Sequence, residues 1–139
     1  MSTRAIIVFV AICAVIVVGG IATVVYRSRG FLSDAMQVFS QGSAFGRGKD
    51  GQACVDEAVR RYDPSLTMPR QTLASGFVVA CLSSTKASEA VCDGVPTIGR
   101  LDQGPARDWA EQQCRARERE GQGCALIFLQ VANYCRVRH

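Results

Sequence analysis

The chain has 139 residues, a formal net charge of +4 at pH 7 and 48% hydrophobic residues. This length leaves room for one modest domain and excludes a multidomain enzyme. The hydrophobic residues are unevenly spread, because the 22 residues from Ala5 to Tyr26 carry no charge, and six of the seven cysteines follow that run.

The uncharged run predicts one transmembrane helix. As a helix it spans about 33 Å, which matches a hydrocarbon core of about 30 Å. A cleaved signal peptide is the main alternative, but its small-x-small pattern at residues 20–22 comes late in an unusually long apolar stretch. We therefore expect an uncleaved anchor over residues 1–30, in which Gly19 and Thr23 form a small-xxx-small pair suited to close helix packing.

Residues 31–52 are predicted to be a juxtamembrane segment and a glycine-rich linker. Ser33 can cap a short amphipathic turn, and the four glycines within residues 41–52 indicate a flexible connection. The remaining residues, 53–139, are expected to form a disulfide-rich helical domain.

Apolar residues at three- and four-residue intervals predict helices nearly throughout this domain. The first covers residues 52–62, and the second begins near Pro69 with Thr67 as its cap. The second can bend at residues 83–85 and resumes through Ala87 until Cys92, followed by a loop over residues 95–104. A third helix covers residues 105–120. The fourth, residues 124–139, is apolar on most sides and is expected at the centre, with a β-strand over residues 125–131 as the alternative.

Three disulfides are expected among the six cysteines that follow the anchor, which are Cys54, Cys81, Cys92, Cys114, Cys124 and Cys135. Cys81 and Cys92 are eleven residues apart, as are Cys124 and Cys135, so each pair shares one helix face at a separation of about 16 Å. That distance is too long for a disulfide within either pair.

Bonds across two antiparallel helices satisfy this spacing. They would join Cys81 to Cys135 and Cys92 to Cys124, and they leave Cys54 and Cys114 for the third disulfide. Other connectivities stay open, as does a set of reduced, buried cysteines. A metal site is least favoured, because zinc usually takes two ligands two to four residues apart and the chain has no such pair.

The cysteine spacing resembles that of the twin CX9C helical-hairpin proteins of the mitochondrial intermembrane space. The resemblance covers residues 81–135, where Cys114 and Cys124 enclose nine residues and the other two spacings enclose ten. It implies a helical architecture held by disulfides and implies nothing about activity.

Two observations bear on topology. Arg27 and Arg29 outnumber Arg4, which favours a cytoplasmic domain, whereas an accumulation of cysteines favours an oxidising compartment. We give the cysteines more weight. The domain is therefore expected on the oxidising side of a bacterial or mitochondrial inner membrane.

The sequence offers little for catalysis. The single histidine, His139, is terminal and poorly held, and residues 42–49 lack the glycine spacing of a phosphate-binding loop. No CxxC redox pair or haem attachment motif is present, and glutamates alternate with the arginines of residues 115–120. We expect no catalytic residue, no cofactor, no metal and no nucleic-acid partner.

These features predict a non-catalytic, single-pass accessory or assembly subunit of a larger membrane complex. Its expected partners are other membrane-protein subunits and the lipid bilayer. The alternative is a membrane-tethered binding module that recognises a soluble ligand or an envelope partner. A concave apolar pocket would favour the binding module, and flat surfaces continuous with the anchor would favour the subunit.

Overall fold

The computed structural model describes residues 3–86, 89–97 and 103–137. In this part of the chain the elements are α1 Thr3–Gly46, α2 Gly51–Arg61, α3 Met68–Ser84, a 3₁₀ helix Glu89–Cys92, α4 Gly104–Arg115 and α5 Gln122–Arg136. The described residues form no strand, so the predicted all-α class is confirmed and the β-strand alternative for residues 125–131 is wrong. Residues 1–34 and 35–139 form two compact units.

The first unit contains the apolar part of α1. This helix is long and apolar enough to cross a membrane, with a mean hydropathy of 2.9 over its most apolar window and none of that window buried. Val15 and Val18, for example, are 72% and 67% exposed. An apolar surface of this extent is unfavourable in water and is typical of a segment that contacts lipid or another protein.

The end of α1 belongs to the second unit and corrects the flexible linker predicted within residues 31–52. The helix continues to Gly46, and only residues 47–50 separate it from α2. A Cβ atom on Gly42 would lie 2.6 Å from the carbonyl oxygen of Phe77, and one on Gly46 would overlap the carbonyl oxygen of Cys81. These glycines therefore permit close contact with α3, a different use of glycine from chain flexibility.

Helices α2 and α3 begin close to their predicted positions. The Asp50 carboxylate caps α2 by accepting a hydrogen bond from the backbone N–H of Ala53 at 2.7 Å. Thr67 occupies the N-cap position of α3 without a side-chain hydrogen bond. Helix α3 ends at Ser84, and the Thr85 hydroxyl donates to the carbonyl oxygen of Lys49. This bond ties the end of α3 to the start of α2.

The chain between α3 and α4 is only partly described. Ala87, predicted to continue the second helix, lies outside the described residues, as do residues 98–102 of the predicted loop. Within the described part, the short 3₁₀ helix Glu89–Cys92 is a separate element, so the second predicted helix does not reach Cys92 as one continuous helix.

Helix α4 is shorter than the predicted third helix, because it ends at Arg115 instead of residue 120. Glu118 and Gly121 adopt positive φ angles of 54° and 106°, which helical residues do not have, and the chain reverses there. Helix α5 then packs against α2, α3, α4 and the 3₁₀ helix, as expected for a central helix. Its most buried side chains include Ile127, Phe128 and Val131.

Candidate functional site

Three disulfides connect the helical elements of the second unit. Cys54 bonds to Cys81, Cys92 to Cys135, and Cys114 to Cys124, with Cα–Cα distances of 5.7, 5.5 and 6.1 Å. They join α2 to α3, the 3₁₀ helix to α5, and α4 to α5. The predicted pairing is therefore wrong in all three bonds, although the same six cysteines take part.

The pairing error has a specific physical origin. The prediction required Cys81 and Cys92 to share one face of one helix, but α3 ends between them and Cys92 lies on its own short element. Cys124 and Cys135 do share α5, yet they bond to different elements. The two bridges between one pair of antiparallel helices that the CX9C resemblance implies are likewise not found.

An ion-pair cluster joins α2 to its neighbours. The Glu57 carboxylate accepts hydrogen bonds from Arg60 Nε at 2.7 Å and from Arg61 Nε at 2.8 Å. The hydrogen bond from Arg60 is the main reason that the pKa of Glu57 falls to about 2; burial opposes this change, and Arg61 adds to it. Arg61 also donates to Gln41 and lies 4.2 Å from the ring centroid of Phe77. The cluster therefore helps to hold the end of α1 on α2 and α3.

A groove of about 860 Å³ lies beside α4 and α5. One wall is apolar and is formed by Ala125, Leu126 and Leu129, which recur at helical spacing along α5. Met68 at the start of α3 also lines the groove and is 44% exposed. The volume lies within the range of protein ligand sites, and the groove is partly open to solvent.

The other wall carries charge. Arg107, Glu111 and Arg115 follow one another at four-residue intervals along α4, and Arg119 and Glu120 extend the line into the turn. Arg107 Nε lies 3.5 Å from a carboxylate oxygen of Glu111, whereas Arg115 has no carboxylate at ion-pair distance among the described residues. Three arginines against two glutamates give this wall an excess of positive charge.

Arg119 has a weak electrostatic partner outside the groove. The pKa of Asp63 is lowered chiefly by hydrogen bonds from the hydroxyl and the backbone N–H of Ser65, with a smaller attraction to Arg119. Nearby, the Tyr62 hydroxyl donates to the carbonyl oxygen of Glu120 at 2.9 Å, which fixes the turn at the end of the groove. Arg115 is therefore the cation of this wall with the fewest partners of its own.

The groove is not among the predicted features, because the apolar residues of α5 are all expected in the core. Ile127 and Phe128 are indeed buried, but Leu126 and Leu129 are only partly so. The available signal was that α5 is apolar on most sides, more than its neighbours in so small a domain can cover.

The predicted packing pair of the anchor lies on α1. The Thr23 hydroxyl donates to the carbonyl oxygen of Gly19 at 2.8 Å, so its hydrogen bond is made within the helix. A Cβ atom on Gly19 or Gly20 would meet no other atom within 4 Å. Cys13, on the same helix, is exposed and free of a disulfide. The role of this pair in packing stays a prediction.

No group of three or more His, Cys, Asp or Glu side chains is placed to hold a metal ion in the described part of the chain. The chain was also compared with known proteins. No protein-family model matches it, and no curated protein or solved structure is significantly similar to it.

Proposed function

We propose that the protein is a non-catalytic, single-pass accessory or assembly subunit of a larger membrane complex. In this proposal α1 anchors the chain in a bacterial or mitochondrial inner membrane. The domain over residues 53–139 lies on the oxidising side and presents surface to other subunits. The bilayer and those subunits are its partners, and it carries no cofactor.

The observation that carries this proposal is the complete exposure of the apolar window of α1. The second unit forms its own core from α2, α3, α4 and α5 and has three disulfides. Disulfides of this kind persist in oxidising compartments, which supports the proposed side of the membrane. A small protein that combines a lipid-facing helix with a self-contained domain is well suited to hold neighbouring subunits in place.

Extraction of native membranes with a mild detergent tests the proposal. We expect the protein to co-migrate with other chains well above its own 15.0 kDa and its detergent shell. The intact mass should also retain residues 1–30, because loss of this segment would identify a cleaved signal and overturn the anchor. Elution as a lone monomer would contradict membership of a complex.

Matched variants of the anchor sharpen this test. Gly19→Leu fills the open position beside Thr23, and Val24→Leu makes a similar apolar change at another exposed site of α1. If a neighbouring helix packs on the small residues, Gly19→Leu reduces the co-extracted fraction and Val24→Leu does not. Equal recovery with both variants would exclude this helix face as the contact.

The groove beside α4 and α5 favours a second candidate, a membrane-tethered binding module that recognises a soluble ligand or an envelope partner. The two candidate functions predict different results when the protein is extracted from membranes. A binding module would be extracted alone and would then bind its ligand, whereas a subunit would be extracted already assembled.

A further inference from the structure

We infer that the groove beside α4 and α5 receives an amphipathic helix of a partner subunit, with one apolar edge and one acidic edge. This inference rests on the proposed function, because it assigns a docking surface and a partner chemistry to the accessory subunit. The groove has one apolar wall and one charged wall. The apolar wall would contact the apolar edge of the partner helix, and the charged wall would contact its acidic edge.

The apolar wall provides the contact area. Leu126 is partly exposed and lies outside the set of side chains that pack on the core, and Met68 is 44% exposed. Ala125, Leu126 and Leu129 stand at positions i, i+1 and i+4 of α5, and with Met68 at the start of α3 they form the apolar wall. Such a wall is the usual complement of the apolar edge of a docked helix.

The charged wall sets the chemistry of the other edge. Successive residues of the series Arg107, Glu111 and Arg115 are one helical turn apart, so their charges recur about every 6 Å along α4. Glu111 is already paired with Arg107, which leaves Arg115 and Arg119 against the single carboxylate of Glu120 in this wall. A partner helix lying along this wall is therefore favoured when its edge carries carboxylates.

The charge pattern also argues against a second copy of this chain as the occupant. A symmetric dimer through the groove would bring the same wall from each copy together. The charged wall of each copy carries an excess of arginine, so the like charges of the two copies would oppose the contact. An acidic partner meets no such repulsion.

Site-specific cross-linking of the full chain in nanodiscs tests the inference. A benzoylphenylalanine photoprobe replaces Leu126, and the control photoprobe replaces Asn133, which is exposed on α5 and does not line the groove. The ligand is a synthetic amphipathic peptide of about 18 residues, with leucines along one edge and glutamates along the next. A second peptide has lysine at every glutamate position.

We expect the acidic peptide to label the Leu126 position about tenfold more than the lysine peptide and more than it labels the Asn133 position. Arg115→Glu should remove this preference for the acidic peptide. Arg136→Glu makes the same change of charge at an exposed site outside the groove and should leave the preference intact.

Equal labelling by the two peptides, equal labelling at both photoprobe positions, or an unchanged preference in Arg115→Glu would overturn the inference. Cross-links between two copies of the chain that exclude the peptide would assign a second copy to the groove. A cross-link within one chain that blocks the peptide would assign another segment of the chain to it. Either result would also overturn the inference. A complex that is extracted intact while the peptides fail would refute the groove assignment alone. Extraction as a lone monomer would instead refute the proposed function.

Discussion

Replacing Cys114 and Cys124 together by alanine removes the disulfide that closes the shortest loop of the domain. The sequence separations within the three bonds are 10, 27 and 43 residues. Loop-closure entropy then gives stabilisations of about 2.8 kcal/mol for Cys114–Cys124, about 3.6 kcal/mol for Cys54–Cys81 and about 4.0 kcal/mol for Cys92–Cys135. We therefore expect this double replacement to cost the least of the three.

Urea unfolding of the full chain in detergent micelles measures these costs. The ring of Trp109 on α4 packs edge-on against Phe128 on α5 with their centroids 5.7 Å apart, so its fluorescence reports separation of these helices. The decrease in the free energy of unfolding should be smallest when Cys114 and Cys124 are replaced by alanine, larger for Cys54 with Cys81, and largest for Cys92 with Cys135. Cys13→Ala, which alters an exposed cysteine outside any disulfide, should leave it unchanged.

A thiol count on the same variant decides between the observed pairing and the one predicted from spacing. With Cys114 bonded to Cys124, the double-alanine variant has Cys13 as its only free thiol. With the pairing predicted from spacing, the same variant would also release Cys54 and Cys92. Two additional thiols before denaturation would refute the connectivity on which this reasoning depends.

Three further predictions concern single residues. Gly46→Ala should lower the free energy of urea unfolding by about 1–3 kcal/mol, because its Cβ overlaps the Cys81 carbonyl, whereas Gly48→Ala, which meets no atom, should have little effect. Glu57→Gln should cost about 0.5–1 kcal/mol at pH 7, since solvent screens the ion pair through Arg60, whose side chain is 72% exposed. The folded-state pKa of Glu57 is about 2 against an ordinary 4.5, so its contribution to the free energy of unfolding is complete above pH 4.5 and is lost as the pH falls towards 2. If the original chain and Glu57→Gln lose stability equally between pH 4.5 and pH 2, the lowered pKa of Glu57 is contradicted. Asp50→Ala should cost about 1 kcal/mol through loss of the α2 cap, measured by the same unfolding curves, and an unchanged midpoint would exclude that cap.

Local features of the sequence were sufficient to predict most of the helices. Pro69 in the first turn of α3 and Pro105 in the first turn of α4 are both strong start signals, and each helix begins within one residue of its proline. The apolar run of α1 likewise needs no tertiary information. These signals depend on neighbours along the chain, and the folded structure preserves them.

The glycine content before α2 illustrates a signal with two physical meanings. Glycine lowers helix propensity, so several glycines in a short stretch indicate a flexible chain. Glycine also lets two backbones approach closely, and Gly42 and Gly46 serve that purpose against α3. Only the position of α3 in the folded domain distinguishes these meanings. That position is set by tertiary packing and cannot be predicted from the residues around the glycines.

The disulfide pairing depends on where helices end and the chain reverses. An eleven-residue spacing fixes the face of a helix only while the helix continues, and the prediction failed where α3 ended between Cys81 and Cys92. The spacing of Cys114 and Cys124 has a different origin, because the two residues flank the reversal around Glu118 and Gly121. Cysteines on either side of a glycine-containing break are therefore better candidates for a mutual bond than cysteines on one helix face.

The disulfide of the α4–α5 hairpin also bears on the inferred groove. Cys114 lines the groove, and its bond to Cys124 fixes the start of α5, which provides the apolar wall, against the end of α4, which provides the charged wall. The disulfide Cys54–Cys81 joins α2 to α3, of which only Met68 lines the groove. The disulfide Cys92–Cys135 joins the 3₁₀ helix, which does not line the groove, to α5. The separation of the two walls therefore depends chiefly on the bond with the smallest entropic contribution to stability. In this small domain, the disulfide expected from its loop length to stabilise the fold least is the one that most directly shapes the groove.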